Sequence, residues 1–135
     1  MSQAYDTEVV TEGFGAARDL FETLIRQLHS DPTAGMEHDQ LEAMIKKQGT
    51  EVMRLVVQGH RGVRSKHEQR MESVQGADGV LRTHCREKCE RNLMTEFGQV
   101  VVTRKGYSAK GVERLFPLDA ELNLPKDKSA ILILA

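Results

Sequence analysis

Leu20, Leu24 and Leu28 recur at four-residue steps, with Phe21 and Ile25 beside them, and this spacing predicts an amphipathic helix over residues 13–28. Asp19 and Glu22 stand early in it and Arg26 late, the order that a helix dipole favours. Ser30-Asp31-Pro32-Thr33-Ala34-Gly35 then breaks the pattern, with Pro and Gly as punctuation. A second, longer helix is predicted over residues 39–71, from the stripe of Leu41, Met44, Ile45, Val52, Met53, Leu55, Val56, Val63 and Met71. Gly49, Gly59 and Gly62 interrupt it, each at a cost of up to about 1 kcal/mol relative to Ala. Gly59 and Gly62 either bend this helix or let a neighbour approach closely. The stripe reads as a packing seam, either in an antiparallel hairpin with the first helix or in a dimeric coiled coil. Residues 1–12 show no period and are expected to be disordered.

The pattern changes at Gln75-Gly76-Ala77-Asp78-Gly79, whose glycines and Asp mark a turn or linker. Residues 75–80 therefore separate a helical region, 13–74, from a second region, 81–128. In the second region residues 81–85 read as a short strand. Residues 92–95 and 99–104 read as a β-hairpin joined through Glu96-Phe97-Gly98, because the Val/Thr run prefers extended backbone and Gly98 accepts positive φ. Gly106 is expected to end the second strand. Pro117 and Pro125 bracket about one helical turn, with Asp119 as its expected cap. The predicted fold class is α+β, mainly α: a long helical hairpin followed by a small β-hairpin module.

Composition narrows the function classes. Aromatic residues make up 4% of the chain and charged residues 29%, which suits an extended helical protein better than a globule with a large core. No apolar run reaches the roughly 18 residues of a membrane span, and the acidic start does not resemble a secretory signal. Cys85 and Cys89 are the only cysteines, too few for a disulfide scaffold, so a cytoplasmic location is expected. The net charge of -1 hides a division. Residues 1–58 carry five basic and ten acidic side chains, whereas residues 59–114 carry twelve basic and seven acidic. A basic middle is compatible with a surface that faces phosphates, and equally with a solvated face of mixed charge.

Arg91-Asn92-Leu93-Met94-Thr95-Glu96-Phe97-Gly98-Gln99-Val100-Val101-Val102-Thr103-Arg104 resembles the R-x-L-x-T-x-F-G-x-V-x-V-x-R hairpin of DDE-type insertion-sequence transposases of the ISKra group, in which a Tyr follows, as Tyr107 does here. Phe116-Pro117-Leu118-Asp119-Ala120-Glu121-Leu122-Asn123-Leu124-Pro125 is similar to the PLD-x-x-L-x-LP segment that comes next in that family. The resemblance covers roughly residues 20–128 and implies an N-terminal helical and β-hairpin region ahead of an RNase H-like catalytic domain. That domain would hold two magnesium ions on three acidic residues. The ten residues after Pro125 cannot contain it, so this chain is expected to have no cofactor and no catalysis of its own. The family pattern also implies a polar, helical continuation. Residues 129–135, Ser129-Ala130-Ile131-Leu132-Ile133-Leu134-Ala135, are instead abruptly apolar. They read as a shifted reading frame, either programmed or in a decayed copy, with an ordinary hydrophobic C-terminal strand as the alternative.

The candidate chemistry is phosphate contact. Arg61, Arg64, Lys66 and Arg70, with His60 and His67, cluster at the end of the long helix; Arg82, Arg86, Lys88, Arg91, Arg104 and Lys105 surround the hairpin. Such groups meet phosphates by charge without reading sequence, and a two-stranded ribbon can enter a major groove. The expected partner is transposon-end DNA, with a homodimer as a further possibility and no small-molecule substrate. Glu68, Glu72, Glu87 and Glu90 dilute the patch. His84, Cys85 and Cys89 read either as reduced thiols beside a histidine or as three of the four ligands a structural zinc needs, with His60 or His67 as the fourth. Asp119 and Glu121 read as shaping the turn between the prolines, not as catalytic carboxylates. No P-loop, no G-x-S-x-G elbow and no Ser/His/Asp arrangement occurs.

Overall fold

The computed structural model describes residues 13–126; the expected disordered start and the apolar tail lie outside them. The chain divides into two compact units, Met1–Val63 and Arg64–Ala135. The division falls inside the long helix, some ten residues before the boundary expected at 75–80.

The first unit is built by α1, Gly15–His29, the single-turn α2, Asp31–Ala34, and most of α3, His38–Lys66. The break after α1 is chemical. Thr33 Oγ1 donates to the carbonyls of Gln27 (2.9 Å) and Leu28 (3.1 Å), and Ser30 Oγ donates to Gln27 (2.5 Å). Carbonyls that a helix end leaves without partners are thus satisfied by hydroxyls, and Pro32 starts α2 where its missing N–H is harmless. Ala17 and Leu24 of α1 and Val52 of α3 are buried. The two helices form the antiparallel hairpin, one of the two arrangements open to the stripe. A side chain on Gly59 would lie 2.6 Å from the Gly13 carbonyl oxygen and 2.7 Å from the Phe14 ring, so the start of α1 rests on the later turns of α3. Gly59 is thereby a close-approach glycine, while around Gly62 there is open space.

The stripe that carried the long-helix prediction to Met71 is overridden after Lys66. Tyr107 Oη accepts the Met71 N–H at 2.8 Å, and Glu68 Oε1 accepts the Lys105 N–H at 2.9 Å. These bonds draw the segment out of helix and onto the sheet. Residues 75–80 are not a linker. Gln75 belongs to β1, Val74–Gln75, and residues 76–80 form the loop that joins it to the antiparallel β2, Leu81–Arg82.

The main sheet pairs β3, His84–Thr95, with β4, Gly98–Ser108, and both strands are longer than predicted. Its turn is fastened by Thr95, whose Oγ1 donates to the Gly98 carbonyl (2.7 Å) and accepts the Phe97 N–H (3.1 Å). Gly98 takes φ 125°, the positive value the turn calls for. Arg86 pairs with Gly106 and Cys89 with Arg104, so Glu87 and Lys88 together oppose Lys105 in a β-bulge. Gly106 does not end β4. It is the place where the Arg114 and Phe116 side chains cross the backbone, at 2.6 and 2.8 Å from a would-be Cβ.

Alternation along the strands turns Cys89, Leu93, Val100, Val102 and Arg104 into the core of this unit, where they meet Leu118 of α4, Pro117–Glu121. Tyr107 is also fully buried: it exchanges two backbone bonds with Leu115, at 2.8 and 2.9 Å, so the chain beyond β4 closes over it. The fold is α+β with helix predominating. Among the described residues no helix is long and apolar enough to cross a membrane.

Candidate nucleic-acid interface

The cations expected to face DNA fall into two classes by burial. Arg82, Arg91 and Arg104 point inward and are used up by the protein. The Arg104 side chain is 7% exposed; its Nε and Nη2 donate to Asp119 (2.9 and 3.3 Å) and its Nη1 to the Cys89 carbonyl (2.9 Å). Its guanidinium also stacks on Phe116, 3.8 Å from the ring centre. Arg91, 11% exposed, donates to the same Asp119 carboxylate (3.3 Å) and to the Pro125 carbonyl. Arg82, 2% exposed, clamps Asp78 through both Nη atoms (3.0 and 2.9 Å) and reaches the Val80 and Glu113 carbonyls. All three spend their donors on protein acceptors and lie turned away from the surface. The signal was present in the sequence: Arg91 and Arg104 share the two-residue period of Leu93, Val100 and Val102, which puts them on the inner face.

Asp119 is corrected at the same time. The position before α4 is held by Phe116, with no side-chain cap, and Asp119 is instead the shared acceptor for two arginines. Glu121 pairs with Arg64 at 2.8 Å. Both carboxylates thus pair with arginines, Glu121 at the surface.

Asp78 supplies a pH test. The hydrogen bond from Arg82, with help from the Val80 N–H, lowers its pKa from 3.8 to about 2. A depressed carboxylate stabilises the fold fully above its ordinary value and loses that contribution as pH falls through the folded one. The thermal-stability advantage of wild type over Asp78→Asn should therefore be full at neutral pH and should disappear between 3.8 and about 2. A difference that stays constant across that window in a pH series of melting curves would refute the role given to the pair.

The remaining cations are nearer the surface. Arg61 is half-buried, lies 3.1 Å from His60 Nδ1, and has its pKa lowered by desolvation. Lys66 is exposed at the end of α3. Around the bulge the second unit gathers Arg70, Arg86, Lys88 and Lys105 about one carboxylate. Glu87 receives Arg70 at 3.2 Å and Lys105 at 3.3 Å, while Arg86 and Lys88 on either side of it are exposed. The bulge is what makes this knuckle, because it places an extra residue on β3 where flat pairing would alternate the side chains. Glu87, which the charge reading counted only as diluting the patch, pairs with two of the four cations.

His84, Cys85 and Cys89 are not brought together. His84 and Cys85 are neighbours on one strand and so face opposite ways, and Cys89 is buried in the core. Among the described residues no group of three His, Cys, Asp or Glu side chains is arranged to hold a metal ion, and both cysteines are free thiols. No family model, no curated protein and no solved structure matches the chain.

Proposed function

We propose that this chain is the DNA-positioning, non-catalytic portion of an insertion-sequence transposase of the ISKra kind, and that it meets transposon-end DNA through the knuckle at the β3 bulge. One observation supports the family reading above others. The two segments that carry the resemblance dock on each other, with Arg91 and Arg104 of the first both donating to Asp119 of the second. The spaced residues of the pattern are then the inner face of one module: Leu93, Val100, Val102 and Leu118 form its core and Thr95 and Gly98 its turn. A pattern that encodes a packing unit explains why its two halves come in order and at that spacing.

DNA contact falls to the outer face. Arg70, Arg86 and Lys88 would neutralise up to about three phosphates, so log affinity should fall with log salt at a slope of roughly −3. The probe is a fluorescein-labelled duplex carrying an inverted repeat that flanks the gene, beside a scrambled duplex of equal length. Arg86→Ala with Lys88→Ala should flatten the slope by about two. Glu87→Gln should act the other way and tighten binding about threefold at low salt, since it removes the carboxylate that engages Arg70 and Lys105. No change in anisotropy at 50 mM salt, or binding that ignores both variants, would discard the reading. That result would favour the rival, an oligomerisation module that does not touch DNA, for which the internal pairing of Arg82, Arg91 and Arg104 already argues.

A further inference from the structure

The first unit leaves a second apolar stripe uncovered. Phe21 and Ile25 lie four residues apart on α1, and Ile45, Met53 and Val56 follow at steps of eight and three on α3. The buried seam uses Ala17, Leu24 and Val52. Beside it Phe21 is 52% exposed and Ile25 49%, and Ile45, Met53 and Val56 are exposed as well. Phe14, Ala17, Phe21, Val52 and Val56 line an open cleft between the two helices, and Arg18 and Glu22 stand on its rim.

We infer that this face pairs with the same face of a second copy, so that two helical hairpins close into a four-helix bundle. Three observations select that occupant. Ala17, Leu24 and Val52 are the only large or small apolar side chains buried among the described residues of this unit, which is less core than a two-helix unit needs to stand alone. The apolar face is broad: Phe21, Ile25, Ile45, Met53 and Val56 are all exposed on these two helices. The rim is self-complementary. Arg18 and Glu22 lie one turn apart, so a two-fold axis across the cleft sets each copy's Arg18 against the other's Glu22. Arg18 makes no ion pair among the described residues, and Glu22 has only a loose 3.7 Å contact with Arg26.

The pairing does not depend on whether the β-module touches DNA, and it is measured without DNA. Sedimentation equilibrium of the full chain between 5 and about 100 μM should give twice the 15.2 kDa chain mass. Phe21→Glu with Val56→Glu, both on exposed positions, should give the single-chain mass with unchanged helical circular dichroism. The rim has a sharper signature. Arg18→Glu alone sets Glu against Glu, and Glu22→Arg alone sets Arg against Arg, so each should weaken association by at least tenfold at low salt. An equimolar mixture of the two variants should recover it, because only the mixed pair restores both contacts. A wild-type monomer at the highest concentration, an oligomer that grows without closing, or a dimer indifferent to the core substitutions would each overturn the proposal. Recovery failing in the mixture while the core substitutions dissociate the dimer would overturn the two-fold arrangement.

Discussion

Replacing Asp119 by alanine is expected to destabilise the second unit by about 3–5 kcal/mol, a large share of what holds a small domain together. The carboxylate is the one anion that Arg104 and Arg91 share, and both arginines are enclosed. Without it the Arg104 guanidinium remains out of water with its charge uncompensated, and the cost of that exceeds the worth of the ion pair itself. Leu118, next to Asp119 and buried against the sheet, would lose its anchor in the same step. Glu121→Ala is the matched control. Its partner Arg64 is 42% exposed, so losing that pair should change stability by no more than about 0.5 kcal/mol. Urea unfolding followed by amide exchange in β4 reads both variants. A change below about 1 kcal/mol for Asp119→Ala would mean that the two arginines find water, and that the docking of the two resembling segments is incidental.

The second large effect is expected at Gly59. Valine there would place carbon against the Gly13 carbonyl oxygen and the Phe14 ring at distances atoms do not adopt, and the backbone on one side has to move. Overpacking of this kind costs about 3 kcal/mol, and a β-branched residue brings little helix propensity in return. Gly62, three residues on in the same helix, meets nothing, so Gly62→Ala should stabilise by up to about 1 kcal/mol. Opposite signs at two glycines one turn apart, seen as opposite shifts of the melting temperature, are the expected result. Equal and small effects at both would show that α1 does not rest on α3 at Gly59.

These two sites show where local pattern stops being informative. The helices announced themselves through spacing: Leu20, Leu24 and Leu28, and the Leu41 to Val63 stripe, match α1 and α3 within a few residues at every end but one. The hairpin turn was equally plain, since Thr95 and Gly98 act through bonds to residues two or three away. The first half of β3 was legible only at its start, in the short strand read over residues 81–85, because Arg86, Glu87, Lys88 and Glu90 have no strand preference of their own. They are extended because β4 pairs with them. Net charge misled in the same region. Counting Arg82, Arg91 and Arg104 as surface cations treated each residue by type, whereas period two along the strand had already turned Arg91 and Arg104 inward.

The chain by itself determined its periodic elements, its breaks and the α+β class, because these rest on the spacing of side chains along one backbone. Tertiary structure decided which charges face water, why the long helix stops at Lys66, and that Asp119 is an acceptor and not a cap. Those outcomes depend on partners 15 to 37 residues away, Asp119 for Arg104, Tyr107 for Met71 and Lys105 for Glu68. Burial then gives one well-placed partner more influence than any local preference, since an enclosed charge or amide without a partner is the costlier state.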